Sequence, residues 1–406
     1  MEFLASGPVV FANATIVAVD RVLKGHVAVE AGRIAEVGEG AGPRSAVDFE
    51  GDYLLPGLVE LHTDHLEAHF MPRPAVMWHA GSAVLAYDAQ IAAAGITTVF
   101  DSFRVGMDEF ESRSGLGEKF VPLVEAMRSA AAAGLLRSDH LTHLRCEVPA
   151  PNVVDFLAEF LATNAAQLIS LMDHTPGQRQ FRDLEKYFIY YSGKSGRSVA
   201  EMEELVQQRQ RVGGGRAREN RPRIVELAKA HGVALASHDD TTLEEVALAH
   251  SEGIGIAEFP TTIEAAVASR AVGMATVMGA PNVVRGGSHS GNASARDLAE
   301  AGQLDILSSD YVPAALLMAA FRLADAPNVG GLPGAIRLVS KTPAEATGLR
   351  DRGEIAVGRR ADLLRVAMHD GEPVVRAVWR EGRRVACNRP ASSSRSSARA
   401  ARARIR

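Results

Sequence analysis

The sequence predicts an α/β fold, a (β/α)₈ TIM barrel with a small β-sandwich domain formed by both chain ends. Two observations carry this prediction. In the middle of the chain, eight short apolar runs end in polar residues, and most are followed by alanine-rich helical stretches. Parallel strands alternating with helices produce this pattern. Near both ends, β-rich segments punctuated by glycine show no helical period, which indicates strands joined by turns.

The first 53 residues are expected to form strands of the sandwich. Gly25, Gly32 and Gly38 separate β-rich segments there, and Gly382 occupies a similar turn near the C-terminus. The predicted strands of this domain are 9–11, 15–19, 26–30, 33–37, 361–366, 374–379 and 384–386. The sandwich is therefore assigned residues 1–53 plus 354–390.

The barrel is assigned residues 54–353. Its predicted strands are 54–64, 95–102, 140–148, 168–174, 233–240, 254–262, 275–282 and 305–311. Its predicted helices are 82–94, 118–134, 153–164, 216–231, 241–252, 263–272, 293–301, 313–323 and 333–347.

Two segments depart from the alternation of strands and helices. A long insertion, 175–223, follows predicted strand four and is rich in arginine, lysine and tyrosine, with a flexible glycine run at 213–215. Residues 391–406 contain only serine, alanine and arginine apart from Ile405. Such a composition predicts a disordered basic tail, since it cannot bury an apolar core.

The overall composition argues against several classes of function. The net charge is −5, which gives no sign of a nucleic-acid partner, and no apolar run approaches the length of a membrane span. The N-terminus lacks the basic and apolar regions of a signal peptide. The two cysteines, Cys146 and Cys387, are far apart and fit a reducing cytoplasm. A homo-oligomer is left open.

Predicted strand one ends in a cluster of polar residues that includes His62 and Asp64. Residues i and i+2 of a strand point the same way, so these two side chains are expected to converge. An imidazole and a carboxylate aimed at one point suit a divalent metal. Taken alone, the pair also fits a polar strand end without a metal.

Other predicted strand ends carry the same kinds of side chain. They hold Glu147, 173–174, 238–240 and Asp310, and predicted strand six contains Glu258. Because the active site of an α/β barrel lies at the C-terminal ends of its strands, these groups are expected on one rim. Together they predict a metal centre.

For individual residues, the sequence allows roles other than metal ligand. Glu147 suits a bridging ligand but also a surface carboxylate, and His174 and His238 suit either ligands or core histidines. Asp173 and Asp239 fit acceptors for the second nitrogen of a ligating imidazole. Three further histidines stay open as ligands, substrate contacts or packing residues: His65, His69 and His79.

Two divalent ions sharing a hydroxide would explain a site this rich in ligands, because metals lower the pKa of bound water. Histidine and carboxylate ligands suit Zn, Mn, Fe or Co. Asp310 is the expected catalytic residue, holding one metal and accepting the proton of the hydroxide.

Several motifs resemble the amidohydrolase superfamily, and most closely its PhnM family, the diphosphatase of the bacterial carbon–phosphorus lyase pathway. LLPGLVELH (54–62) and GRRADLL (358–364) are typical of the superfamily. The closer match rests on HTDHLEAHFMPRP (62–74), SLMDHTPGQRQF (170–181), SHDDTT (237–242), EFPTT (258–262), MGAPNVVRGGSHSGN (278–292) and SSDYVP (308–313). The resemblance covers about residues 8 to 388. It implies hydrolysis of α-D-ribose 1-methylphosphonate 5-triphosphate to the 5-phosphate and diphosphate.

The sequence departs at three positions from the motifs usual in the superfamily or in the PhnM family. The usual H-x-H of the superfamily is His62-x-Asp64 here, as in the PhnM family, and Glu147 stands where others carry a modified lysine. His65 replaces the asparagine usual in the PhnM family, so its role is open. The metal residues implied by the resemblance are His62, Asp64, Glu147, His174, His238 and Asp310.

An anionic sugar-phosphate substrate is compatible with the charge pattern. The basic insertion would overhang the rim and supply arginine clamps, although it also reads as a charged surface helix. The glycine-rich loop 285–290 lets backbone N–H groups approach an anion. The expected substrate-binding residues are His65, Arg179, Arg182, Lys186, Arg285 and His289.

Two rival functions remain. A cyclic amidohydrolase or deaminase of the same superfamily would act on a C–N bond and would need no arginine-rich overhang. A catalytically dead binding subunit is disfavoured by the presence of every expected ligand type.

Overall fold

The chain contains two separate β-sheets. A computed structural model describes residues 9–73, 76–106, 117–177, 179, 199–287 and 292–388. Its strands are β1 Val9–Val17, β2 Val22–Glu30, β3 Arg33–Glu39, β4 Val47–Asp48, β5 Tyr53–Pro56, β6 Leu58–Thr63, β7 Ile96–Val105, β8 Asp139–Glu147, β9 Leu168–Met172, β10 Ala234–His238, β11 Ile256–Glu258, β12 Ala275–Gly279, β13 Ile306–Ser308, β14 Leu363–His369, β15 Glu372–Arg380 and β16 Arg383–Cys387.

Helices follow most strands of the central part. They are α1 Leu66–Phe70, α2 Ala80–Ala93, α3 Val121–Ala132, α4 Val153–Thr163, α5 Val199–Ala230, α6 Leu243–Ser251, α7 Ile263–Ala271, α8 Ala280–Arg285, α9 Ala295–Glu300, α10 Ala315–Leu323, α11 Gly331–Arg337 and α12 Lys341–Ala346. A 3₁₀ turn, Gly117–Phe120, precedes α3. Among the described helices, none combines the length and the apolar character that crossing a membrane requires.

The barrel consists of eight parallel strands paired in sequence order from β6 to β13. A parallel bridge between Thr63 and Asp310 joins its first and last strands. The N–H of Asp310 donates to the carbonyl oxygen of His62 over 3.1 Å. The predicted α/β barrel, with a separate sheet built from the chain ends, is therefore confirmed.

Side chains inside the barrel change from apolar to polar along the strands. An apolar cluster fills the floor and includes Leu61, Phe100, Leu168 and Ile256. Because inward positions recur every second residue, the next inward residues of the same strands include Ser102, Ser170 and Glu258. The polar mouth therefore lies at the C-terminal strand ends, where the sequence places the metal-binding side chains.

The chain ends form the accessory sheet, ordered β16-β15-β14-β5-β1-β2-β3 with β4 beside β1. Its core contains Phe11, Phe49 and Trp379, and the rings of Phe11 and Trp379 lie 4.7 Å apart. The predicted domain boundaries, 1–53 plus 354–390 around 54–353, stay a prediction.

The predicted strand 54–64 is two strands. β5 pairs with β1 and β14 in the accessory sheet, whereas β6 pairs with β7 in the barrel. Gly57 separates them, its N–H donates to the carbonyl oxygen of Asp362 over 2.8 Å, and any side chain here would overlap Thr97. The apolar run hid this change of sheet because both halves are buried.

The predicted flexible glycine run is also wrong, since Gly213, Gly214 and Gly215 lie inside the 32-residue helix α5. An added Cβ at Gly213 would stand 2.9 Å from the Thr175 hydroxyl. Asn220 on the same helix donates to two carbonyl oxygens after β8, at 2.9 Å each. These close contacts hold α5 against the barrel despite its glycines. The predicted disordered tail, 391–406, lies outside the described residues.

Candidate metal centre

Three imidazoles from different strands meet at the barrel mouth. His62 lies on β6, His238 ends β10, and His174 follows β9. The rings of His62 and His238 stack with centroids 5.6 Å apart, and His174 meets His238 edge-on at 5.6 Å. Their strands are far apart in sequence, so the barrel itself creates the cluster.

Carboxylates contact the same nitrogen on each of these rings. Glu258 lies 3.1 Å from the Nδ1 atoms of both His62 and His238 and also accepts the Ser170 hydroxyl at 2.7 Å. Glu147 lies 2.6 Å from Nδ1 of His174. A carboxylate at Nδ1 favours a proton there and leaves the Nε2 lone pair as a ligand atom.

Asp239 supplies an oxygen on the Nε2 side. Its Oδ2 lies 3.5 Å from Nε2 of His238 and 3.8 Å from Nε2 of His174. That oxygen is buried and has no hydrogen-bond partner among the described residues. A buried, unsatisfied carboxylate oxygen is costly unless something binds it.

The donor set fits a divalent metal. Two groups of side chains have ligand atoms within 4.8 Å of one another, namely His62 with His238 and Glu258, and His174 with His238 and Asp239. Nitrogen and oxygen donors of these kinds suit Zn and neighbouring transition metals. The unsatisfied Asp239 oxygen gives such an ion a place to bind.

The backbone is left-handed at three strand ends around the cluster. Asp239, Phe259 and Asp310 have φ values of 56°, 54° and 56°. Non-glycine residues rarely adopt this conformation, and it concentrates at functional sites. The Phe259 ring packs edge-on against His62 and His238, at 5.0 and 5.3 Å.

The buried acids stay ionised because of their partners. Burial would raise the pKa of Glu258, but His62 and the hydrogen bond with His238 outweigh it and hold that pKa well below its usual range. Burial also opposes ionisation of Glu147, and Arg104 and His174 hold its pKa well below normal. Burial likewise works against the charge of His238, yet Asp239 and Glu258 raise its pKa.

His143 stands beside the cluster as a neutral, fully bonded ring. Its Nδ1 lies 2.9 Å from the Leu61 carbonyl oxygen, and its Nε2 lies 2.5 Å from the Ser170 hydroxyl. Burial lowers its pKa to about 3. With both nitrogens engaged, His143 supports Ser170 and Glu258 from below.

Glu60 ties the two strands at the barrel seam. It is fully buried and accepts N–H groups from His62 at 2.6 Å and from Ser309 at 2.5 Å. Burial raises its pKa to about 8, although bonds from Ser309 and His62 act in the opposite direction. Glu60 thereby fixes the backbone beside His62 and Asp310.

The expected metal residues fall into two sets. His62, His174, His238 and Glu147 contact one another directly or through Glu258. Asp64 instead lies 3.4 Å from Arg145, outside both donor groups. Asp310 borders the cluster through its backbone bond to His62. The metal-ligand assignments of all six remain predictions.

The expected substrate residues are more dispersed. His65 shares the side-chain oxygen of Gln90 with His69, at 3.1 and 2.8 Å. Arg179 is buried, where it donates to the His238 carbonyl oxygen at 2.7 Å and to Asp240 at 2.9 Å.

Arg285 ends α8 and contacts the Tyr311 hydroxyl at 3.4 Å. Three expected substrate residues lie outside the described residues: Arg182, Lys186 and His289.

The sequence does not single out two residues of the donor groups. Glu258 lies inside predicted strand six, and the pattern predicts Asp239 as a partner of an imidazole rather than as a ligand. Asp239 itself has a left-handed backbone, and Glu258 precedes the left-handed Phe259. Which ring nitrogen each carboxylate faces depends on its side-chain rotamer, and the sequence does not specify that rotamer.

Comparison with known proteins gives three kinds of relative. Residues 194–385 match the model of the amidohydrolase family. The chain is 46% identical, over 92% of its length and 99% of the relative's, to an Escherichia coli protein called alpha-D-ribose 1-methylphosphonate 5-triphosphate diphosphatase. It is 24% identical to imidazolonepropionase of Streptomyces avermitilis, covering 88% of this chain and 86% of that protein.

Solved structures share the fold at low identity. N-isopropylammelide isopropylaminohydrolase from Burkholderia multivorans matches with a TM-score of 0.61 at 20% identity, covering 94% of this chain and 98% of the other. N-acetyl-D-glucosamine-6-phosphate deacetylase from Mycobacterium smegmatis matches with a TM-score of 0.59 at 16% identity, covering 93% of this chain and 99% of the other.

Proposed function

The chain belongs to the amidohydrolase superfamily and, within it, to the family of the alpha-D-ribose 1-methylphosphonate 5-triphosphate diphosphatase, and from this premise we propose that it hydrolyses that triphosphate. The products are diphosphate and the ribose 5-phosphate that retains the methylphosphonate. The reaction is hydrolysis of a phosphorus-containing anhydride in phosphonate catabolism. The observation that carries the proposal is 46% identity across 92% of this chain and 99% of the relative.

The donor groups at the mouth are the proposed metal site. His174 and His238 through Nε2 and Asp239 through Oδ2 would hold one ion, with His62 beside them. A divalent metal bound there supplies an activated water at neutral pH and offsets phosphate charge. Asp64, Glu147 and Asp310 remain proposed ligands, and the number and identity of the ions belong to the proposal.

The protein's own residues prepare the reaction. Glu258 and Glu147 hold the imidazoles by their Nδ1 atoms, which fixes the direction of each Nε2. Asp310, fixed by its left-handed backbone and its bond to His62, accepts a proton from the attacking water and passes it to the departing phosphate group.

The substrate is the proposed partner, an anionic sugar phosphate. Its charge suits the arginines near the mouth, Arg104 and Arg145. A cytoplasmic location and the oligomeric state stay predictions.

Product analysis in ¹⁸O-water tests the function. Purified, metal-loaded protein is incubated with the ribose triphosphate, and the products are followed by ³¹P NMR. We expect diphosphate and the 5-phosphate in equal amounts, with ¹⁸O in one of them, and little product from Asp310→Asn.

Hydantoin, dihydroorotate and adenine serve as parallel substrates for the C–N alternative. Turnover of one of these together with an intact triphosphate would overturn the proposal.

A further inference from the structure

Two arginines occupy equivalent positions on neighbouring barrel strands. Arg104 on β7 and Arg145 on β8 are direct partners in the parallel register. Arg104 follows Ser102 by two residues, and Arg145 follows His143 by two. Ser102 and His143 lie 3.0 Å apart inside the barrel. Since strand side chains alternate, both guanidinium groups belong to the inward-facing row at the mouth.

Their contacts place them at the mouth of the barrel. Arg145 reaches Asp64 beyond β6 at 3.4 Å and the sulfur of Met172 on β9 at 3.4 Å. Arg104 lies 3.0 Å from Glu147. Arg145 therefore spans neighbouring strand ends at the mouth. Arg104 borders the imidazole cluster through Glu147, which contacts His174.

Each of the two guanidinium groups contacts a carboxylate at the mouth. Glu147 is shared with His174, and Asp64 meets Arg145 through one long contact. A guanidinium has five N–H donors in a fixed fork, which matches phosphate oxygens in pairs. The side chains of Arg104 and Arg145 are 35% and 17% exposed, so both remain reachable from the mouth.

The two positive charges also oppose each other. Arg104 and Arg145 are directly paired strand positions, so their like charges repel each other. Glu147 and Asp64 offset part of that repulsion. A multiply charged phosphate bound between the two guanidinium groups would offset more of it.

Two arginines in the described part of the basic insertion are less suited to this role. Arg179 is committed to Asp240 and to the backbone of His238. Arg218 on α5 is exposed and donates to the Gly214 carbonyl oxygen of its own helix.

We propose that Arg104 and Arg145 jointly bind the phosphate groups adjacent to the scissile bond and so form an anion clamp. The inference rests on the proposed function for the identity of the anion. The arrangement of the two side chains is independent of it.

Binding of diphosphate tests the clamp. Metal-loaded protein is titrated calorimetrically with diphosphate in excess Mg²⁺, which keeps the probe from stripping the protein's own metal. We expect Arg104→Met and Arg145→Met each to weaken binding about tenfold or more, as for loss of a charged hydrogen bond. Arg145→Lys should recover only part of the affinity, because lysine lacks the planar fork.

Arg218→Met is the matched control, since it removes an equally charged, exposed side chain from the insertion and should change the dissociation constant less than twofold. Thermal unfolding identifies any variant that fails to fold. The Arg104 side chain is more exposed than that of Arg145, so we expect Arg104→Met to fold even if Arg145→Met does not. Unchanged diphosphate affinity in folded Arg104→Met, an equal loss in Arg218→Met, or no diphosphate binding by the parent protein would overturn the clamp. Arginine-dependent diphosphate binding without turnover of the ribose triphosphate would instead support the clamp and overturn the proposed reaction.

Discussion

Asp239 has an unusual combination of properties for a single side chain. It is buried, its backbone is left-handed, and its Oδ2 has no hydrogen-bond partner among the described residues. Each property costs free energy, and together they are tolerated only where function requires them. The Nε2 atoms of two histidines beside that oxygen explain the requirement.

Replacing Asp239 by asparagine should therefore remove metal without unfolding the protein. We expect the metal content per chain, measured by plasma mass spectrometry, to fall by at least half. In chelator the variant should be about as stable as the parent, because it loses both a buried carboxylate oxygen without a hydrogen bond and the attraction between Asp239 and His238.

Asp173→Asn provides the comparison, because Asp173 also adjoins a histidine but accepts the Thr175 N–H at 3.1 Å. Metal retention in Asp239→Asn, or equal loss in Asp173→Asn, would contradict the assignment.

For single residues, the sequence predicts which side chains lie close together but not which atoms of those side chains contact each other. The histidines at positions 62, 174 and 238 follow from strand ends on one rim. Glu258 and Glu147 contact Nδ1 atoms, whereas Asp239 faces Nε2 atoms. This difference depends on side-chain rotamer and local backbone conformation, which the sequence pattern does not reveal. The sequence does not single out Arg104 and Arg145, because the insertion 175–223 is richer in basic residues.

Among the elements, α5 shows how packing overrides local composition. Three successive glycines lower helix propensity by about 1 kcal/mol each relative to alanine. The helix persists because Gly213 lies against Thr175 and Asn220 binds the carbonyl oxygens after β8. Glycine propensity alone predicted a flexible break at these positions.

The glycine run allows a matched test of that explanation. An added Cβ at Gly214 meets open space, whereas at Gly213 it meets the Thr175 hydroxyl at 2.9 Å. Gly214→Ala should raise the free energy of unfolding by about 0.5–1 kcal/mol in denaturant titration. Gly213→Ala should lower it or leave it unchanged. Equal stabilisation by both substitutions would show that α5 does not pack closely at Gly213.

The helix α2 is attached to the barrel through a buried histidine. Nδ1 of His140 on β8 lies 2.8 Å from Asp101, and its Nε2 lies 3.3 Å from Asp88 on α2. Burial alone would lower the pKa of His140, but Asp101 and Asp88 outweigh it and raise the pKa from 6.5 to about 9. The ring is therefore a buried cation between two acids.

That cation gives stability a definite pH dependence. A histidine with a raised folded pKa contributes fully below its unfolded pKa of 6.5, and the contribution disappears as pH rises through about 9. The stability difference between the parent and His140→Gln should thus shrink from pH 6 to pH 9.5 in denaturant titrations. Taking the difference cancels Glu60, whose raised pKa of about 8 affects both chains. A difference that stays constant with pH would mean that His140 is neutral.

For the whole molecule, the metal centre joins strands that are distant in sequence. His62, His174 and His238 belong to barrel strands β6, β9 and β10 or their ends, so an ion bound there links separate parts of the barrel. A ligand present at 100 times its dissociation constant stabilises a folded protein by about 2.7 kcal/mol. Exhaustive chelation should therefore lower the melting temperature by several degrees and abolish diphosphate release.

Restoring Zn or Mn should recover both properties. An unchanged melting temperature in fully chelated protein, verified by metal analysis, would argue against a bound ion. The matched control is the parent protein carried through the same dialysis without chelator.

The architecture as a whole was the most predictable level. Eight alternating runs define the barrel, and β-rich ends define the accessory sheet, because burial on both faces and turn chemistry leave strong patterns in a sequence. The joint between the two was hidden, since β5 and β6 form one apolar run that Gly57 divides.

Gly57 lets the polypeptide pass from one sheet to the other without a linker, and His62 follows five residues later. The accessory sheet therefore acts as an anchor for the first ligand-bearing strand. A circular permutation that opened the chain at this joint would release that strand from its support. New termini at a solvent-facing turn such as Gly273 would spare it.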